Sequence, residues 1–353
     1  MKNIIIFYLL IFLTSLSYAE TNSTKCNIES NITNTYYLDI LQSNISKKVL
    51  NWSTYADIKI SKWLGYDELN TSCLIDTSIY QVQSKTVDSF FQNTKYIDET
   101  NDVFIRVRTD STFQTKEKNK FRLKFRAQLP FSRCRKQLKI FVEDMSVTKN
   151  KNAINDDEGT TNIGLRYVGK ERHGIKSRYS LGLSGIHPFI SARYGSLFQD
   201  EKWEIEPVQT FKYSTKDYFQ EETNIYFDKT FSKNNLFRFT LQRGSETTVE
   251  GMDYAFRFEY FTNAKNNKGW HFEQAFYGNT KYRHRKKKYR IMNPKTEYHG
   301  INNYETIISY RANILRKWFY YEIKPSVNFH KDINYKPNYA LRLFFDFYFG
   351  DYN

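Results

Sequence analysis

Charged side chains recur at every second position in several stretches of this chain, each set against an apolar or aromatic row. Arg122, Lys124 and Arg126 alternate with Phe121, Leu123 and Phe125, and Arg106 and Arg108 repeat the spacing just upstream. Arg257 and Glu259 interleave with Phe256, Phe258 and Tyr260. Glu322 and Lys324, then Arg342 and Asp346, do the same near the C-terminus, and Lys139, Glu143 and Arg166 extend the series. A period of two puts such residues on one face of an extended strand. Fixed charges on an inner face, with the basic ones in excess, decide which ions pass an aqueous path. The same residues would alternatively form an Arg–Glu network that braces a closed interior.

The densest charge block runs through Arg283, Arg285, Lys286, Lys287 and Lys288. It reads as a grip for lipopolysaccharide phosphates, or as a solvated loop held extended by self-repulsion. Asp156 to Glu158 is a weak candidate for a divalent cation, because no spaced carboxylates accompany it. Covalent catalysis needs a nucleophile and a base in hydrogen-bond reach, and no G-x-S-x-G elbow occurs. Of the six histidines, His271 lies two residues before Glu273 on the same face of one predicted strand. A satisfied polar pair is the expected reading. No enzyme activity, cofactor or metal site is expected. Cys26 and Cys73 are candidates for a disulfide in an oxidising compartment, with free thiols the alternative, and Cys134 falls in a predicted turn.

The elements carrying these residues follow from the same period. Hydrophobic residues make up 40% of the chain and mean hydropathy is −0.68, too polar for a bundle of membrane helices. Aromatics reach 18%, too many for a disordered chain. Alternation of lipid-facing and lumen-facing residues produces that average. The expected fold is all-β, a transmembrane antiparallel β-barrel over 101–353. Its strands, about 14 with 12 as the alternative, fall at 103–110, 119–129, 136–145, 161–169, 175–184, 188–199, 202–213, 217–230, 235–244, 252–262, 268–279, 300–312, 317–329 and 338–349. Short connections follow the even strands, and the long ones, 146–160 and 280–299, follow odd strands. That asymmetry suits a periplasmic N-terminus with long loops outside the cell. Tyr260, Phe261, Trp270, Trp318 and Tyr321 read as interfacial aromatic girdles.

Ahead of the barrel, residues 1–19 read as a signal peptide: Lys2, an apolar run over 4–13, and a small-x-small site ending at Ala19. Residues 20–100 read as a periplasmic linker and helical segment, with Leu38, Leu41, Ile45, Val49 and Trp52 at helical spacing. The stretches 60–65 and 87–92 look alike, each ending on a pair of large apolar residues. A helix capping the periplasmic rim is favoured over a plug or docking element.

Two closing motifs are moderately specific. Trp318-Phe-Tyr-Tyr-Glu-Ile-Lys-Pro325 fits W-x-[FY]-Y-E-x-x-P, and Tyr339 to Gly350 fits an L-R-L…F-G strand. Residues 121–130 and 138–144 match an L-P…E-D portion more loosely. Over residues 85–350 the chain thereby resembles an uncharacterised family of Gram-negative outer-membrane proteins. The resemblance implies a barrel in the cell envelope and supplies no catalytic residues. Long Lys/Asn-rich loops are this chain's departure. Expected partners are outer-membrane lipid, lipopolysaccharide and the barrel-assembly machinery. A net charge of +15 would suit nucleic acid, but export argues against it. The expected function is a passive or gated pore for small anionic solutes. The alternatives are an envelope protein docking periplasmic partners and, less favoured, a lipid-modifying barrel enzyme.

Overall fold

A computed structural model describes residues 37–63, 87, 90–91, 103–116, 118–131, 138–145, 160–232, 234–264, 267–284, 298–314 and 316–350. The strands are β1 (Phe104–Gln114), β2 (Lys120–Pro130), β3 (Leu138–Met145), β4 (Thr160–Val168), β5 (Ile175–Ser184), β6 (His187–Ser196), β7 (Trp203–Ser214), β8 (Tyr218–Ser232), β9 (Asn235–Glu246), β10 (Asp253–Ala264), β11 (Lys268–His284), β12 (Tyr298–Asn313), β13 (Phe319–His330) and β14 (Pro337–Gly350). Each pairs antiparallel with its neighbours in the chain, and β14 returns to β1 with Phe104 opposite Gly350. The result is a closed barrel of 14 strands. Every range expected from the period-two pattern is occupied by one of them. The short strands Phe198–Asp200 and Val249–Glu250 extend the ladders of β7 and β11.

Closure removes free sheet edges, the condition for exposing a sheet to lipid. The two faces differ as that solvent demands. Leu123, Leu165, Leu181 and Leu341 are all exposed, Leu181 to 61%. Their neighbours in sequence point the other way, and Arg238, Arg311 and Asp346 have no exposed surface at all. In a sheet one layer thick, such burial is reached only on the concave side. Charged groups therefore line the lumen and apolar groups face outward. No helix among the described residues is long and apolar enough to cross a membrane.

The connections define two ends. The end holding the start of β1 and the finish of β14 carries the turns after even strands. Arg172 and Ile175 exchange both backbone hydrogen bonds around His173 (φ 52°) and Gly174 (φ 73°), a two-residue turn whose positive φ values match the twist of the flanking strands. Near this end Trp270, Tyr310 and Tyr321 form an outward row, with centroids 4.7 and 6.0 Å apart. Phe276 and Tyr304 make a second outward pair at 5.8 Å. Six residues of β11 separate the two rows, ~20 Å at the usual strand rise, close to the height of a membrane belt. Phe261 is a correction to the girdle expected from sequence. Tyr260 points outward, so Phe261 points into the lumen, where it is 1% exposed.

Helix α1 (Tyr37–Trp63) forms where helical spacing predicts it. Its packed face is Ser46, Val49, Ser53 and Asp57, whereas Leu41, Trp52, Tyr55 and Trp63 from its apolar side are exposed. Polar bonds hold it: Gln42 Nε2 donates to the Tyr348 carbonyl at 3.1 Å, and the Gly350 amide donates to Ser46 Oγ at 3.0 Å. Val87 and Phe91 pack against Leu236 and Phe261 on the inner face. Phe90 and Phe91 also cover Gly269, where a Cβ would stand 2.7 Å from the Phe90 ring. They therefore occupy lumen space at the short-turn end.

Candidate functional site

The lumen wall is the site. Strand register carries its charges inward in rows, and the most buried of these form a network where β1 meets β14. Arg108 donates from Nε and a terminal nitrogen to the two oxygens of Asp346, at 2.6 and 2.7 Å. Arg311, on β12, donates to Asp346 at 2.5 Å and to the Tyr348 hydroxyl at 3.1 Å. Glu322 on β13 lies 3.6 Å from both Arg108 and Arg311 and accepts a hydrogen bond from Ser309 at 2.8 Å. Paired charges with their lone pairs engaged are tolerated where a single one would not be. Glu322 and Asp346 come from the two closing motifs, so the motif residues are those that hold four strands together.

A second buried clamp joins β8 and β9, with Nε and one terminal nitrogen of Arg238 donating to the two oxygens of Asp228 at 2.7 Å. On β4, Arg166 donates to Glu143 at 2.9 Å and lies over the Phe141 ring at 4.1 Å. Arg126 is 3.9 Å from the same carboxylate, and Lys124 is 3.0 Å from Asp110. Phe141 and Phe189 spread over a bare part of the wall. Gly164 and Gly182 face each other across β4 and β5, with Phe141 opposite Gly164 and Phe189 opposite Gly182. A Cβ on either glycine would fall 2.2 Å from a backbone oxygen of the partner strand.

The expected lining residues are brought together as rows on one face. Arg106, Arg108, Arg122, Lys124 and Arg126 share the β1–β2 wall, and Arg342, Asp346, Glu322 and Lys324 adjoin it on β14 and β13. Arg257 and Glu259 lie on the inner face of β10, opposite Ala275 and Glu273 of β11. Reasoning from sequence missed Arg311, Arg238 and Asp228. Each keeps the two-residue alternation of its strand, Arg238 between Phe237 and Phe239 and Asp228 beside Phe227, so the period that marks the other lining residues also marks these. Arg283 lies in β11, with its backbone opposite Glu250. Arg285, Lys286, Lys287 and Lys288, the acidic stretch 156–158, Cys26, Cys73 and Cys134 lie outside the described residues.

A closed barrel with an apolar exterior and a charged lumen is the architecture of a membrane-spanning β-barrel protein. Solved structures similar to it include an anion-selective porin from Comamonas acidovorans, at 8% identity and TM-score 0.42 over 70% of this chain and 98% of that one. Another is OccK10 (OpdN) of Pseudomonas aeruginosa, at 7% identity and TM-score 0.41 over 70% and 98%. The outer membrane channel DcaP of Acinetobacter baumannii matches at 11% identity and TM-score 0.40 over 70% and 96%. No protein-family model and no curated protein matches the chain.

Proposed function

We propose that this barrel is a passive or gated pore for small anionic solutes in the outer membrane of a Gram-negative cell. One observation carries the anionic preference. Five pairs of cations sit directly across from each other between strands on the inner wall. They are Lys324 with Arg342, Arg106 with Arg126, Arg108 with Lys124, Lys139 with Arg166, and Arg178 with Arg193. Like charges in that position destabilise a sheet. Carboxylates such as Asp346, Asp110 and Glu143 offset part of the repulsion, and an anion in the lumen offsets more. The pairs lie on β13, β14 and β1 to β6, with Lys139 and Arg166 buried in the wall and the others partly exposed.

Short turns at the end holding the barrel's termini support placing that end in the periplasm, with the long loops outward. The basic block 283–288 then meets lipopolysaccharide phosphates. Val87, Phe90 and Phe91, inside the short-turn end, support a gated rather than a fully open path. Reconstitution in planar bilayers with reversal potentials tests the reading. An anion-selective current that moves toward neutrality in Arg178→Ser/Arg193→Ser is expected. A folded barrel that carries no current, or carries cations selectively, sinks it.

A further inference from the structure

On the inner face of β10 and β11, two carboxylates and an imidazole converge. Glu259 on β10 and Glu273 on β11 are direct cross-strand partners, and His271 lies two residues along β11 on the same face. One ligand atom from each of the three falls within 4.8 Å of the others. Two carboxylates in direct cross-strand contact repel each other, so their placement requires positive charge between them.

The nearby cations supply it incompletely. Arg238, directly across from Glu259 on β9, also binds Asp228 through two of its nitrogens, so its charge is shared. Arg257, two residues from Glu259, leaves its buried Nε without a hydrogen bond. Glu305 on β12 adds a further carboxylate, since it faces Ala275 on the same wall.

His271 provides a second, independent sign. Its Nε2 is buried and makes no hydrogen bond, although Glu259 Oε1 is only 3.3 Å away. Burial of an imidazole nitrogen without a partner is costly. The ring is held in place by Phe261, stacked at 4.3 Å and 3°, and by Phe91 at 5.9 Å. A fixed imidazole aimed at two carboxylates is a ligand set.

We infer that Glu259, His271 and Glu273 bind a divalent transition-metal ion, of which zinc is the type, on the inner wall near the short-turn end. Imidazole with carboxylate oxygens suits zinc and its neighbours, whereas magnesium and calcium take oxygen alone. Tetrahedral ligation at about 2.1 Å sets ligand atoms roughly 3.4 Å apart. His271 and Glu259 already stand at 3.3 Å. Rotation of the partly exposed Glu273 side chain brings the third oxygen to the same spacing. The solvent-reachable side of Glu273 leaves room for water as the fourth ligand. This site does not depend on conduction, so it stands or falls separately from the pore.

Calorimetric titration of the detergent-refolded full chain, freed of metal by chelator, is the test. One zinc ion per chain is expected, undisturbed by a hundredfold excess of magnesium. Affinity falls at least tenfold in His271→Ala and in Glu273→Gln. Absence of binding, an unchanged affinity in both variants, or displacement by magnesium overturns the assignment. Should the variants fail to fold, X-ray absorption of the zinc-loaded unaltered chain decides. One imidazole nitrogen with oxygens at about 2.0–2.2 Å supports the site, and a shell without imidazole refutes it.

Discussion

Asp346 is the side chain on which most depends at the scale of single residues. It accepts from Arg108 and Arg311 at once and has no exposed surface. Asp346→Asn keeps the shape but leaves two guanidinium groups sharing a neutral amide. Breaking one partner of a buried charge network costs about 3–5 kcal/mol. The expected outcome is a lower temperature for the shift in electrophoretic mobility that marks barrel unfolding. Asp346→Asn with Arg108→Met is predicted to recover part of the loss, since it removes one stranded charge along with its partner. Asp346 and Glu322 were legible in the sequence because aromatic rows flank them and sharpen the alternation. Arg311 was not, because Ser309 and Asn313 flank it on its own face.

At the scale of elements, the strands were legible almost to their ends. Period two is set by the pleat itself, and lipid enforces it on every strand. The helix was legible from spacing, but its packed face was not. Hydrogen bonds from Gln42 and to Ser46 decide how it docks, and those depend on where β14 ends rather than on apolar pattern. Two predictions belong here. Gly182→Ala pushes a methyl group against the Ile163 carbonyl oxygen, and overpacking of that kind costs about 1–3 kcal/mol. Its checks are the same mobility shift and the yield of folded barrel. Leu181→Arg on the outward face should cost about 2–4 kcal/mol when folding into vesicles is followed against urea. Ser180→Ala, one residue away but facing the lumen, should cost less, the loss being the 3.3 Å hydrogen bond it accepts from Arg166 Nε.

For the whole molecule, the charge is arranged rather than merely abundant. The basic pairs lie on β13 to β6, while Asp228, Glu259, Glu273 and Glu305 gather on β8 to β12 around Arg238, Arg257 and Arg311. In the proposed pore, an anion travelling through would be drawn to one wall by a field that salt weakens. The screening length falls from about 30 Å at 0.01 M salt to about 3 Å at 1 M. Anion selectivity measured by reversal potential should therefore decline steeply over that range. Selectivity that holds constant would point to size or a narrow constriction as the sieve. Neither the network nor this division between walls could be read from one strand at a time, because both arise only when β14 meets β1.

That meeting also sets a clock. Phe104 and Gly350 lie 246 residues apart (350 − 104), and the cylinder is not finished until the last segment of the chain is in hand. Until then both borders of the sheet are unpaired and ready to join any other extended chain. The final ladder is also the one that delivers Asp346 to Arg108. The bond acts as a latch fastened at the end of assembly. Interactions formed after the folding barrier slow escape more than they hasten arrival. Loosening the latch should shorten the lifetime of the finished barrel while leaving its speed of insertion nearly unchanged.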